Sequence, residues 1–189
     1  ARGCPARTAS PRGAPPGAPP ARARAGLGRG RALRALGQLD DRAAVEEAGR
    51  RARRLRDADL LAEAAIASIW PGNFFVRAAE VEHGLVAICE DALSVLPPED
   101  PRRVRVLAVL AAHLAFDPDR ERRVRLVAEG QAVARQLGDP ELIGTGLVAE
   151  YLSLWDPTTI ARRAEIALEI GRLARASGDV DLEFFAGFL

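Results

Sequence analysis

The chain has 189 residues and contains no lysine and no methionine. All 27 of its basic residues are arginine. Without lysine there can be no P-loop lysine, no Schiff-base lysine and no kinase-type phosphate lysine. A GC-rich coding sequence, which favours Arg and Ala codons, accounts for the bias. Methionine is missing even from position 1, so the chain is expected to begin after a processed or truncated end, or from a non-standard start. Cysteine is nearly absent. Cys4 and Cys89 are too few for a disulfide framework, and Cys89 is expected to be a free buried thiol in a reducing cytoplasm. There is no run of about 18 apolar residues, so no transmembrane helix is expected. Charge of one sign is not in excess either. The 27 basic and 26 acidic residues leave a net charge of +1, which gives no overall field favouring nucleic acid.

Apolar residues make up 48% of the chain, enough for a core, and they are unevenly placed. Residues 1–25 hold Ala, Arg, Pro and Gly with almost nothing else, and no aliphatic residue larger than Ala. Such a segment cannot offset the entropy of ordering, so residues 1–26 are expected to be disordered or partly polyproline II. From Leu27 the periodicity becomes helical. Helices are expected at 27–38, 41–56, 58–69, 76–96, 102–116, 119–137, 140–154, 158–177 and 180–189. Asp100 and Asp139 precede Pro101 and Pro140 as N-caps before prolines at first helical positions. Gly138 and Gly178 supply left-handed C-terminal residues.

One phrase recurs along these helices. It aligns on Asp57, Asp139 and Asp179, which stand 82 and 40 residues apart. Leu60, Leu142 and Leu182 follow each anchor by three; Ala64, Gly146 and Ala186 follow by seven. Ala52, Ala134 and Ala174 precede by five, and Val45, Val127 and Ala167 by twelve. A copy is missing from the first gap, where Leu96-Pro97-Pro98-Glu99-Asp100-Pro101 stands. A period of about 40 residues marks stacked helix pairs. A second phrase, Phe116-Asp117-Pro118 and Trp155-Asp156-Pro157, with the related Trp70-Pro71-Gly72, marks turns within the pairs. Its aromatic rings are expected to seal the ends of interhelix grooves. In 158–177 the expected buried face is Ile160, Ala164, Ala167, Leu168, Gly171 and Ala174.

The small positions Ala64, Gly146 and Ala186, and the second-helix rhythm Ala164, Leu168 and Gly171, resemble the tetratricopeptide class. The period departs from its standard 34. Residues 96–182 resemble the helical-repeat region of large actinobacterial signalling ATPases. The phrases that carry this are Leu96-Pro97-Pro98-Glu99-Asp100-Pro101-Arg102, Asp119-Arg120-Glu121-Arg122-Arg123, Ala134-Arg135-Gln136-Leu137-Gly138-Asp139-Pro140 and Leu154-Trp155-Asp156-Pro157. The resemblance implies a P-loop ATPase core before the repeats and a LuxR-type DNA-binding or nucleotide-cyclase domain at one end of the parent. None of these domains lies within the 189 residues. The sequence stops at Asp179–Leu189, the beginning of another repeat, and is read as a fragment.

Residue constellations for chemistry are weak. Gly26-Leu27-Gly28-Arg29-Gly30 has no preceding strand and has Arg31 where G-x-G-x-x-G needs glycine, so a flexible entry to the first helix is expected. Gly144 and Gly146 are expected to serve helix packing. His83 and His113 stand 30 residues apart with no partner at metal-ligand spacing. No serine lies in a G-x-S-x-G elbow. The arginine runs, such as Arg50-Arg51-Ala52-Arg53-Arg54, are expected to pair at i, i+4, Glu46 with Arg50 and Glu47 with Arg51. An anionic partner is the alternative.

The expectation is therefore an all-α, αα-hairpin solenoid with tetratricopeptide-like repeats of about 40 residues over 27–189. It is expected to be a non-catalytic cytoplasmic scaffold with no cofactor and no metal. Its partner would be a protein, a peptide or sister domains of the parent chain, rather than nucleic acid or membrane, with self-association through the C-terminal end. The candidate binding face is Glu63, Arg105, His113, Glu150 and Tyr151. The alternative is a small-ligand sensor with a pocket between helix pairs around Trp70, Trp155 and Tyr151.

Overall fold

The computed structural model describes residues 19–35, 41–69, 81–154 and 157–189. Among these the regular structure is helical throughout, with no strand. The helices are α1 (Pro19–Ala35), α2 (Asp41–Leu55), α3 (Ala58–Ala67), α4 (His83–Val95), α5 (Pro101–His113), α6 (Arg120–Leu137), α7 (Pro140–Ser153), α8 (Ile160–Ser177) and α9 (Val180–Phe188). A turn of 3-10 helix at Pro157–Thr159 leads into α8.

Helix α1 starts at Pro19, ahead of the expected start near Leu27. Burial explains the difference: Ala23 and Leu27 are both enclosed, so a small side chain is enough to seat the first turns. Gly26, Gly28 and Gly30 accordingly lie inside α1 rather than in an entry loop. Residues 1–18, where most of the expected disorder falls, lie outside the described residues. Helix α4 begins at His83 rather than at 76, and 76–80 lie outside the described residues.

The recurring aspartates are helix caps. Asp57 accepts from Leu60 N–H at 3.0 Å, Asp100 from Arg102 N–H at 2.9 Å, Asp139 from Glu141 N–H at 2.9 Å and Asp179 from Leu182 N–H at 3.0 Å. Each satisfies a donor the helix start leaves unpaired, worth about 1 kcal/mol. Asp100, from the proline-rich phrase, thus fills the missing copy. Arg102, hydrogen-bonded to Asp100, holds its carboxyl below the usual carboxylate range.

The residue before three of these caps is left-handed. Gly138 has φ 66° and Gly178 φ 68°, and each ends the preceding helix. In the first copy Arg56 takes the same place, with φ 52°. A side chain in that conformation costs about 1–2 kcal/mol where glycine does not. Arg56→Gly is therefore expected to raise the unfolding free energy by about 1 kcal/mol. Gly138→Ala, with open space around its Cβ, should lower it by about the same. Chemical denaturation of both variants checks this. If both shift the same way, the left-handed assignment is wrong.

Packing follows chain order. Each helix packs on the next, and α1, α3, α5, α7 and α9 also pack on one another in succession. No helix contacts another more than two places away among the described residues. The repeated positions are the core. Leu60, Leu142 and Leu182, and Ala52, Ala134 and Ala174, are all buried. Helices approach closely where glycine faces a large side chain: a Cβ on Gly49 would stand 2.4 Å from Ile88 Cδ1, and one on Gly144 2.6 Å from Leu182 Cδ1. Gly146 packs beside Gln131. The helix-packing expectation for Gly144 and Gly146 thus holds.

Two expectations are corrected. The buried side of α8 is Ile166, Ile170, Gly171 and Ala174, while Ile160 and Leu168 are 63% and 67% exposed. Helix α8 carries two apolar stripes, and α7 and α9 cover only the one built on the isoleucines. Phe116 is 58% exposed and seals nothing. The end of α5 is held instead by Arg123, which donates to the carbonyls of Leu114, at 3.2 Å, and Asp117. Trp155 and 70–72 lie outside the described residues.

Candidate functional site

The odd-numbered helices present a shared face, and a groove of about 660 Å³ runs across it. Its walls come from Ile66 and Ile69 at the end of α3, Ala108 and Ala112 of α5, Val148 and Leu152 of α7, and Leu182 and Phe185 of α9. The reason is sequence spacing. In α5, Arg105, Ala108, Val109 and Ala112 stand at i, i+3, i+4 and i+7, one helical face. In α7, Glu141, Thr145, Val148 and Leu152 stand at i, i+4, i+7 and i+11, again one face. On the two flanks of this face Leu142 and Leu147 of α7 are buried against the neighbouring helices.

The groove is polar at one end. Arg105 donates to Glu141 Oε1 at 2.6 Å and ties α5 to α7 near their N-termini. Thr145 Oγ1 donates back to the Glu141 carbonyl at 3.0 Å, and Asp179 lines the same end. Towards the helix C-termini the lining becomes alanine, valine, leucine and isoleucine. Such a groove offers apolar contact along its floor and ionic contact at one rim.

The five candidate residues divide. Arg105 lies in the groove. Glu63, on α3, forms a 3.9 Å ion pair with Arg24 of α1. Glu150 turns to the other side, accepting from Arg162 Nε of α8 at 2.9 Å and from Gln131 of α6. Tyr151 is buried in the α7–α8–α9 seam. The Arg163 guanidinium lies 4.5 Å from its ring centroid and donates to its hydroxyl at 2.8 Å. The Tyr151 hydroxyl donates on to the Leu189 carbonyl at 3.4 Å. Trp70 and Trp155, of the alternative pocket, lie outside the described residues. The groove's alanines and Val148 escaped the sequence reading because small apolar residues read as core. The available signal was that apolar residues of α7 spread around most of the helix instead of forming one stripe.

His113 stands at the end of α5 beside a cluster worth weighing for nucleophilic chemistry. Its Nε2 lies 2.8 Å from Ser68 Oγ. Ser68 Oγ donates to the Ala65 carbonyl at 2.6 Å, so its proton is directed away from the imidazole. Burial pushes the Cys89 thiol up to about 12, which keeps it protonated at neutral pH. The Ser68–His113 contact ties the end of α3 to the end of α5 and is poorly set for attack on a substrate. Among the described residues no group of three or more His, Cys, Asp or Glu side chains could hold a metal ion. No helix among them is long and apolar enough to cross a membrane.

Some arginines pair within one helix and others join helices. Glu47 accepts from Arg51 at 2.7 Å, and Arg50 lies 3.5 Å from Glu46, the expected i, i+4 pairs. Beyond them, Arg103 reaches Glu129 at 2.7 Å and also donates to the Leu93 carbonyl at 2.8 Å, binding α4, α5 and α6. On α9 the aromatic residues divide. Phe185 enters the groove, while Phe184 and Phe188 are 60% and 55% exposed and stack with ring centroids 6.4 Å apart.

No family model, curated protein or solved structure matches the chain.

Proposed function

We infer that this segment is a non-catalytic, tetratricopeptide-like solenoid that docks an amphipathic protein segment in the odd-helix groove. The observation that carries this reading is the apolar groove of about 660 Å³ with the Arg105–Glu141 pair at one rim. Nearest-neighbour packing and the recurring capped phrase support the solenoid. The setting inside a larger signalling ATPase, in the cytoplasm, rests on the sequence resemblance and on the free Cys89 thiol. An apolar stripe on the partner would lie against Ala108, Ala112 and Val148, where small side chains allow close approach, and its polar flank would meet the ionic rim. The exposed Phe184 and Phe188 offer a separate surface for self-association.

Peptides selected from a display library on residues 1–189 test the reading. Val148→Asp and Ala112→Asp should each weaken the selected peptides at least about tenfold, because a carboxylate would be desolvated against apolar contact. Arg125→Gln, at an exposed site on α6, should leave affinity unchanged. Selected peptides indifferent to both groove variants would place binding elsewhere. The volume also falls within the range of small-molecule sites, about 300–1,000 Å³. A small effector that displaces the peptide and loses affinity in Val148→Asp would favour the sensor reading.

A further inference from the structure

At the opposite end of the molecule from α9, guanidinium groups outnumber carboxylates. A cleft of about 290 Å³ between α1 and α2 is lined by Arg22, Glu47, Arg51, Arg54 and Leu55. Glu47 is the one carboxylate in that lining, and it is shared. It meets Arg50 at 3.0 Å, Arg51 at 2.7 Å and Arg54 at 3.6 Å. Arg50 also has Glu46, and Arg53 turns away to Asp91 of α4, donating from Nε at 2.5 Å. Arg22 brings a third guanidinium from α1 and has no carboxylate of its own among the described residues. The lining thus carries three positive charges and one negative.

Other arginines that join or cap helices have carboxylates of their own. Arg102 has Asp59 and Asp100, Arg103 has Glu129, Arg105 has Glu141, and Arg162 has Glu150 and Glu165. At the α1–α2 cleft three guanidiniums instead stand with one carboxylate between them. Residues 1–25 add no Asp or Glu to it. Arg50 and Arg51 hold the Glu47 carboxyl below the usual range, so Glu47 stays ionised and the local charge stays fixed near neutral pH.

We propose that the α1–α2 cleft is an oxyanion site, in which Arg22, Arg51 and Arg54 receive a phosphate group. The residual charge of +2 matches the about −1.5 to −2 of a phosphate monoester near neutral pH. Guanidinium forks supply paired N–H donors to tetrahedral oxyanions, and lysine, which this chain lacks, cannot do so bidentately. Glu47 is then a positioning residue. It spreads the Arg51 and Arg54 side chains along the cleft, and its charge competes with the ligand. The phosphate can come from a phosphorylated partner or from a free oxyanion, and both present the same chemistry to the cleft. The site is separate from the odd-helix groove and does not depend on how that groove is used.

Isothermal titration of residues 1–189 tests it with three titrants: inorganic phosphate, a phosphoserine peptide and the same peptide with serine. The expected result is saturable binding of phosphate at one site per chain. Arg51→Gln with Arg54→Gln should weaken binding by about tenfold or more, and Glu47→Gln should tighten it several-fold. The opposite signs separate a site from lost folding, and thermal melts of all variants should match the parent, since these side chains are at the surface. Arg125→Gln should bind as the parent does. A phosphopeptide that binds more tightly than inorganic phosphate, with the serine peptide silent, assigns the source to a phosphorylated partner. Equal binding of phosphate and phosphopeptide assigns it to a free oxyanion. Absence of saturable binding by either, or equal behaviour of the Glu47, Arg51/Arg54 and Arg125 variants, overturns the proposal.

Discussion

Leu60→Ala and Leu142→Ala are each expected to lower the unfolding free energy by about 2–5 kcal/mol, and Leu182→Ala by clearly less. The three leucines hold one position of the repeated phrase, three residues after a capping aspartate, and all are buried. Their surroundings differ. Leu60 lies in the large cluster shared by α1 to α5, so removing its side chain leaves a cavity walled on all sides. Leu142 is enclosed with Val104 and Ala134 between α5, α6 and α7. Leu182 sits on α9, which meets only α7 and α8 among the described helices, and its own helix is largely exposed. A cavity there collapses or fills with water more easily, which reduces its cost. Each kcal/mol should move the melting temperature by about 2–4 °C in a chain of this size. Circular dichroism melts rank the three variants. A Leu182→Ala loss equal to that of Leu142→Ala would contradict the asymmetry.

Overfilling the seam should be costly too. Ala134 and Ala174 lie five residues before successive caps and are 0% and 3% exposed. Ala134 is packed against Val104 and Leu142, and Ala174 against Ile170 and Leu182. Replacing either by Leu adds three carbons with no room to receive them and should cost about 1–3 kcal/mol. Arg135 and Arg175 follow directly and are exposed, the Arg175 guanidinium lying along Gly171 of its own helix. Their replacement by Leu should cost under about 0.5 kcal/mol. Denaturant midpoints of the four variants make the comparison. Equal small effects at all four would show that the repeat register is misread.

The helix boundaries marked by a capping aspartate or a left-handed glycine were legible because those signals are local. Asp139-Pro140 and Gly138 act within a few residues of themselves, and cap geometry depends on little else. The core was legible where small and large residues recur at fixed distances from those caps. The face of α8 was not. Ile160, Ala164 and Leu168 are as apolar as Ile166 and Ile170, and periodicity alone cannot say which stripe a neighbour covers. Phe116 failed for a related reason. A large ring after a helix reads as a plug, but Arg123, seven residues on, already occupies the carbonyls it would have covered. The candidate site was legible only at Arg105. Glu63, Glu150 and Tyr151 are polar residues on odd helices, yet each is turned towards another helix: Arg24, Arg162 and Arg163 take them. Those partners lie 12 to 39 positions away, beyond what spacing within one helix reveals.

The succession of contacts, each helix touching only those one or two places away among the described residues, also bears on how the chain gains and loses its shape. No distant segments must find each other before burial begins, so little loop-closure entropy stands in the way. Structure can start at any adjacent pair and spread in both directions, which suits growth from a ribosome, where α1 to α3 can consolidate before α7 exists. Under tension the same economy works in reverse. A pull on the C-terminus loads the α8–α9 contact first, and the molecule would lengthen by peeling from that end while the α3–α5 centre keeps its packing.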